Sequence, residues 1–168
     1  MRRAGALVRV HRGVGVFARA RASGHSLGGE PVVTYTQPDA IAAIARAIQT
    51  EQNYVFAAGL AGAFLRGAGR RRATNQVAEH RARLQANAAL VDPAEVPATP
   101  PGFTSESPIT DPKTARSALA ALSNALVGVY ADVASVTEGA DRATAIAWAQ
   151  ASARDAVRWG AASQAFPT

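Results

Sequence analysis

Apolar residues recur every three or four positions along four stretches of this chain, the spacing that turns one face of an α-helix toward a core. In the first stretch the stripe runs Ile41, Ile44, Ile48, then Glu51 or Gln52, then Val55, Gly59 and Gly62. The second runs Ala73, Val77, His80, Leu84, Ala88 and Val91. A third reads Ala115, Leu119, Leu122, Leu126, Val129, Val133 and Val136 without interruption, as expected of the seam of an antiparallel bundle. The fourth carries Ile146, Ala149, Ala153, Val157 and Gly160. The pattern predicts four helices, two of which bring polar residues to interior heights.

Punctuation along the chain agrees with that count. Thr36-Gln37-Pro38-Asp39 has the spacing of a capping box, with a threonine cap and a proline early enough to cost no helical hydrogen bond. Gly67-Ala68-Gly69 is expected to reverse the chain and leave the first two helices antiparallel. Asp92-Pro93 stops the second helix. Five prolines and a glycine between Pro93 and Pro108 exclude a regular element, so this segment is expected to cross the bundle in extended form. Asp111-Pro112 starts the third helix, Thr137-Glu138-Gly139 turns into the fourth, and the fourth is expected to end near Phe166-Pro167. The expected architecture is an all-α antiparallel four-helix bundle with a proline-rich crossover between helices two and three. It occupies residues 36–168, behind a basic, disordered arm at 1–35.

Composition adds three exclusions. The 168 residues, rich in alanine and poor in aromatics, suit one domain of close-packed helices. The longest unbroken apolar run, around Phe56 to Leu65, falls short of the roughly 20 residues needed to cross a bilayer, so no membrane span is expected. Cysteine is absent, which removes disulfides, thiolate ligands and thiol nucleophiles.

The net charge of +6 is concentrated in the arm, where residues 1–38 hold six arginines against one glutamate and leave the bundle close to neutral. Its arginines follow no helical or strand period, so a solvated tail is expected in preference to a nucleic-acid contact. Arg2-Arg3 would suit a twin-arginine signal, but Arg9, Arg12, Arg19 and Arg21 break up the apolar stretch such a signal needs. The expected location is the cytoplasm. Arg70-Arg71-Arg72 could hold phosphate, but at a helix start, where cations oppose the dipole, a solvated corner is expected instead.

Five segments in order along the chain carry a family resemblance. They are Thr50-Glu51-Gln52 with Ala57-Ala58-Gly59-Leu60-Ala61-Gly62, then Glu79-His80-Arg81-Ala82-Arg83, Ala98-Thr99-Pro100-Pro101, Ile109-Thr110-Asp111-Pro112, and Ala156-Val157-Arg158-Trp159. Together they resemble an uncharacterised ferritin-like domain family of high-GC bacteria, over about Asp39 to Thr168. The resemblance implies a ferritin-like four-helix fold and no catalytic assignment. Where that family has an acid-histidine pair in the first helix, this chain has Glu51-Gln52.

Ligand counting argues against iron chemistry. A di-iron carboxylate site takes a glutamate from each of two helices and a Glu-x-x-His pair from each of the other two. Here the candidates are Glu51, Glu79 and His80, and Glu79 and His80 are adjacent, so they point about 100° apart. No cofactor is expected, with iron as the alternative. A hairpin turning at Gly67 to Gly69 leaves Glu51 and His80 about one turn out of level, within reach of each other, and a direct or water-bridged contact is expected. Ser123, Ser152 and Ser163 have no histidine nearby in sequence to activate them.

The fourth helix has a second apolar side. Opposite its core stripe lie Trp148, Trp159 and Phe166, a face expected to pack either on the crossover or on a second copy. The functional expectation is a non-catalytic, self-associating ferritin-like module. The alternatives are a degenerate or mononuclear iron protein and a nucleic-acid-associated protein acting through the arm.

Overall fold

The computed structural model describes residues 34–100 and 108–163, and everything below concerns those residues. They form four long helices, α1 (Pro38–Phe64), α2 (Gly67–Ala88), α3 (Pro112–Val136) and α4 (Gly139–Trp159), with a single 3-10 turn at Pro93–Glu95 and no strand. α1 packs against α2 and α3, and α3 against α4. Contacts between α1 and α3 link early residues of one to late residues of the other, as in the Arg46–Asp132 ion pair, so these neighbours are antiparallel. α2 and α4 meet mainly through long side chains. This is the all-α four-helix bundle that the apolar periodicity predicts.

The two hairpins share one construction. Leu65 and Arg66 are extended and Gly67 follows at φ +53°; Thr137 and Glu138 are extended and Gly139 follows at φ +54°. A left-handed residue at the helix entry is where glycine costs least. In each turn an arginine three residues past the glycine donates from Nε to a nearby carbonyl, Arg70 to Gly62 and Arg142 to Thr137. The first reversal therefore falls earlier than Gly67 to Gly69. Glu51 lies 14 residues before Leu65 and His80 lies 14 after Arg66, so the two are level and not one turn apart.

Helix ends follow their local chemistry. Asp111 caps α3 in a full capping box, accepting from the Lys113 and Thr114 amides while Thr114 Oγ1 accepts from the Asp111 amide. These bonds hold the Asp111 carboxyl below its ordinary pKa, the Thr114 amide first among them. At α1 the cap is Gln37, with no side-chain bond, so the box expected at Thr36 does not form. α4 ends earlier than expected: Gly160 turns at φ +109°, Ala161 N–H bonds the Ala156 carbonyl and Gly160 N–H bonds that of Val157. That pair of bonds is a Schellman closure, which satisfies the last carbonyls and stops the helix.

Of the crossover, the Leu90 carbonyl accepts from the Tyr35 amide, Thr99 accepts from Gln52 of α1, and Ile109, just before Asp111, is buried; residues 101–107 lie outside the described residues. Tyr35 also bonds Asp141 and the Glu138 amide, tying the chain before α1 to the α3–α4 turn. By length and composition alone α3 would be long enough to cross a bilayer. In the bundle its stripe of Ala115, Leu119, Leu126, Tyr130 and Val133 is buried against α1 and α4.

Three expected stripes differ from the structure, the first late in α1, where Tyr54, Ala57, Ala58 and Ala61 turn inward while Val55 and Gly62 are half-buried and Gly59 is exposed. On α4 the buried residues are Ala145, Ser152, Asp155, Ala156 and Trp159, whereas Ile146 and Val157 are 46% and 48% exposed. The face assigned to the core points outward because the large indole, and not the smaller aliphatics, fills the space beside α2. On α2 the inward residues are Ala73, Gln76, His80, Arg83 and Asn87, with Val77 and Leu84 only half-buried at the margin. Long polar side chains there span a seam too wide for valine and leucine.

Candidate functional site

A chain of polar side chains runs through the middle of the bundle, positioned by three helices. From α1 comes Glu51, fully buried; from α2, His80 and Asn87; from α3, Tyr130. His80 Nδ1 donates to Glu51 Oε2 at 2.5 Å, and the Tyr130 hydroxyl donates to Glu51 Oε1. Asn87 Nδ2 donates to the Tyr130 oxygen at 3.2 Å and to the Arg83 carbonyl at 2.9 Å. Both oxygens of the buried carboxylate are thus held by donors, which is what a carboxylate withdrawn from water requires. The expected Glu51–His80 contact is direct.

Two aromatic rings wall this cluster. Tyr54 stacks on the His80 imidazole with centroids 3.7 Å apart, and Tyr130 meets Trp148 at 5.2 Å. Trp148 is half-buried against the core. Burial, and then the negative charge of Glu51, drives the Tyr130 phenol far above its ordinary pKa. Burial likewise pushes Tyr54 up to about 12. Both hydroxyls are therefore fixed as donors, Tyr130 to Glu51 and Tyr54 to Gln76 Oε1 at 2.9 Å.

A second branch joins α2 to α4. Trp159 Nε1 donates to the same Gln76 oxygen at 2.9 Å, and Ser123 donates to Tyr54 at 3.4 Å. Arg83, 3% exposed, donates to Ser152 at 3.3 Å and pairs with Glu79, four residues earlier on its own helix. Of the three weak metal candidates, the structure brings Glu51 and His80 together. Glu79 is turned away, its side chain 51% exposed beside Arg83. This follows from the 100° between consecutive helical residues.

Of the residues proposed for an interface, Trp159 lies inside its own chain at 4% exposure, Trp148 is half-buried, and Phe166 lies outside the described residues. Residues to which sequence reasoning gave no part in this network are Gln76, Arg83, Asn87, Tyr54 and Tyr130. A signal for the first three was present: Gln76, His80, Arg83 and Asn87 are spaced four, three and four apart, a polar stripe with core periodicity.

Among the described residues no group of three histidines or carboxylates is placed to hold a metal ion. His80 Nε2 is buried and has no hydrogen-bond partner there, as are Gln52 Oε1 and Asn87 Oδ1. A histidine whose Nδ1 donates to a carboxylate has the orientation of a metal ligand. One imidazole nitrogen does not make a metal centre, and Glu51 already accepts two hydrogen bonds. The described residues do not fit a di-iron group.

Residues 43–168 match the family described as a domain of unknown function, DUF4439. The fold is similar to the crystal structure of a conserved hypothetical protein from Mycobacterium tuberculosis, at 20% identity and a TM-score of 0.67, over 74% of this chain and 97% of that one. At that identity the likeness is one of fold. No curated protein matches the chain.

Proposed function

We propose that this chain, which belongs to the DUF4439 family, is a ferritin-like bundle acting as a non-catalytic structural or interaction module. The observation that carries this reading is the state of Glu51: a fully buried carboxylate with both oxygens held by Tyr130 and His80. Ligating carboxylates in helical bundles are also buried, but they keep an oxygen for the metal, whereas both oxygens of this one are taken up by side chains of α2 and α3. Buried polar clusters of this kind set which helix faces which, because any other register strands a charge. Here the Glu51–His80–Tyr130 contacts fix the heights of α1, α2 and α3 against one another.

Oxygen uptake after addition of Fe(II) tests the non-catalytic reading. It predicts consumption no faster than buffer, and the same for Glu51→Gln. Rapid uptake that Glu51→Gln abolishes would establish an iron oxidase and overturn it.

Self-association is the interaction this reading favours, and the outward face of α4 supports it. Ile146 and Val157 lie three turns apart on one exposed side, with Ala153 between them. Light scattering should give a mass above the monomer that Val157→Glu lowers. A monomeric parent protein would remove this part of the proposal. The nucleic-acid alternative depends on the arm at 1–35, most of which lies outside the described residues.

A further inference from the structure

A cleft of about 520 Å³ opens between the first half of α2 and the second half of α4. Four arginines line it, Arg71 and Arg72 from α2 and Arg154 and Arg158 from α4, against two carboxylates, Glu79 and Asp155. Both carboxylates are already engaged. Glu79 pairs with Arg83, and Asp155 with Arg158 at 3.0 Å. Arg72 donates to the Arg158 carbonyl at 3.1 Å and lies over the Trp159 ring, 5.1 Å from its centroid. That leaves Arg71 and Arg154, both exposed, with no hydrogen-bond or ion-pair partner among the described residues.

Packing does not require this arrangement. Arg71 and Arg154 bury little, and four guanidinium groups around one cleft repel one another. A local charge excess that the fold does not use is the kind of departure expected at a binding site. The donors are of one type: planar guanidinium forks, which match the oxygens of a phosphate in pairs. The volume lies in the range of small-ligand sites, roughly 300–1,000 Å³.

We propose that this cleft binds a small anion carrying two linked phosphate groups, one met by Arg71 and the other by Arg154, with Arg72 held in place by Trp159 between them. The excess of two positive charges over the carboxylates offsets most of the roughly three negative charges of such a ligand at neutral pH. The cleft touches the interior network at Gln76 and Glu79 but includes none of Glu51, His80 and Tyr130, so this inference does not rest on the proposed structural role.

The test is calorimetric titration of the full chain with inorganic pyrophosphate near physiological ionic strength. Saturable one-to-one binding is expected. It should weaken at least tenfold in the double variant Arg71→Ala/Arg154→Ala, whose melting temperature should match the parent because both side chains are exposed. Absence of saturable heat, or equal affinity in the double variant, would overturn the proposal. A second arm titrates a single-stranded oligonucleotide at equal phosphate concentration. If the double variant loses oligonucleotide binding and pyrophosphate does not bind, the cleft serves a nucleic-acid backbone and the small-ligand assignment is wrong.

Discussion

Tyr130→Phe removes one hydroxyl from the centre of the bundle and leaves the ring in place against Trp148, so no cavity opens. What disappears is the donor to Glu51 Oε1 and the acceptor of Asn87 Nδ2. Asn87 keeps its bond to the Arg83 carbonyl, so its share of the loss is small. The carboxylate oxygen has no replacement in a fully buried site. A hydrogen bond to a charged group contributes about 1.5–3 kcal/mol, and an orphaned buried partner pushes the loss toward the upper end. We expect roughly 2–3 kcal/mol of destabilisation. At roughly 3–6 °C per kcal/mol for a domain of this size, the melting temperature should fall by about 6–18 °C. Thermal and urea unfolding followed by circular dichroism at neutral pH would measure it. A double-mutant cycle with Glu51→Gln should give a coupling of about 1 kcal/mol or more. A loss under about 0.5 kcal/mol, the size of an ordinary surface substitution, would refute the claim that Tyr130 holds the buried carboxylate.

Three further outcomes are expected. The Tyr54 phenol is raised from 10.0 to about 12, mainly by burial, so the folded state keeps a proton that the unfolded chain gives up. That stability is fully present below pH 10 and is lost as pH rises toward 12, about 1.4 kcal/mol per pH unit, with Tyr130 shifted the same way. Urea midpoints across that range should show the decline, and an equally steep decline in Tyr54→Phe would contradict the assignment. Gly160→Ala should cost about 1–2 kcal/mol, read as a lower melting temperature, because φ +109° suits no side chain. Deleting residues 1–34 should leave the melting temperature unchanged, whereas deleting through Tyr35 should lower it by removing the bonds to Leu90, Asp141 and Glu138.

The helices were legible because apolar periodicity and turn chemistry act locally. Asp111-Pro112 and Gly139 each carry enough information in a few residues to mark a boundary. The faces were harder to read. A stripe count treats Ile146 and Val157 as better core residues than Ser152 and Asp155, but which side of α4 turns inward depends on what α2 presents to it. α2 presents Gln76 and Arg83, so the matching partners are Trp159 and Ser152. The interior pair was legible for a related reason: Glu51 and His80 sit evenly about the α1–α2 turn, and a reversal placed only two residues wrong still brought them within reach. Tyr130 was harder to weigh as a partner, because nothing in α3 alone distinguishes a tyrosine that bonds a buried carboxylate from one that fills space.

On the reading proposed above, Glu51 and His80 form a closed structural contact and not a ligand set. Elemental analysis of the full chain, purified without a chelating column and then equilibrated with excess Fe(II) under anaerobic conditions and desalted, tests it most directly. Iron should stay well below one equivalent, unchanged in Glu51→Gln and His80→Gln. One or two equivalents retained by the parent chain and lost in either variant would contradict it.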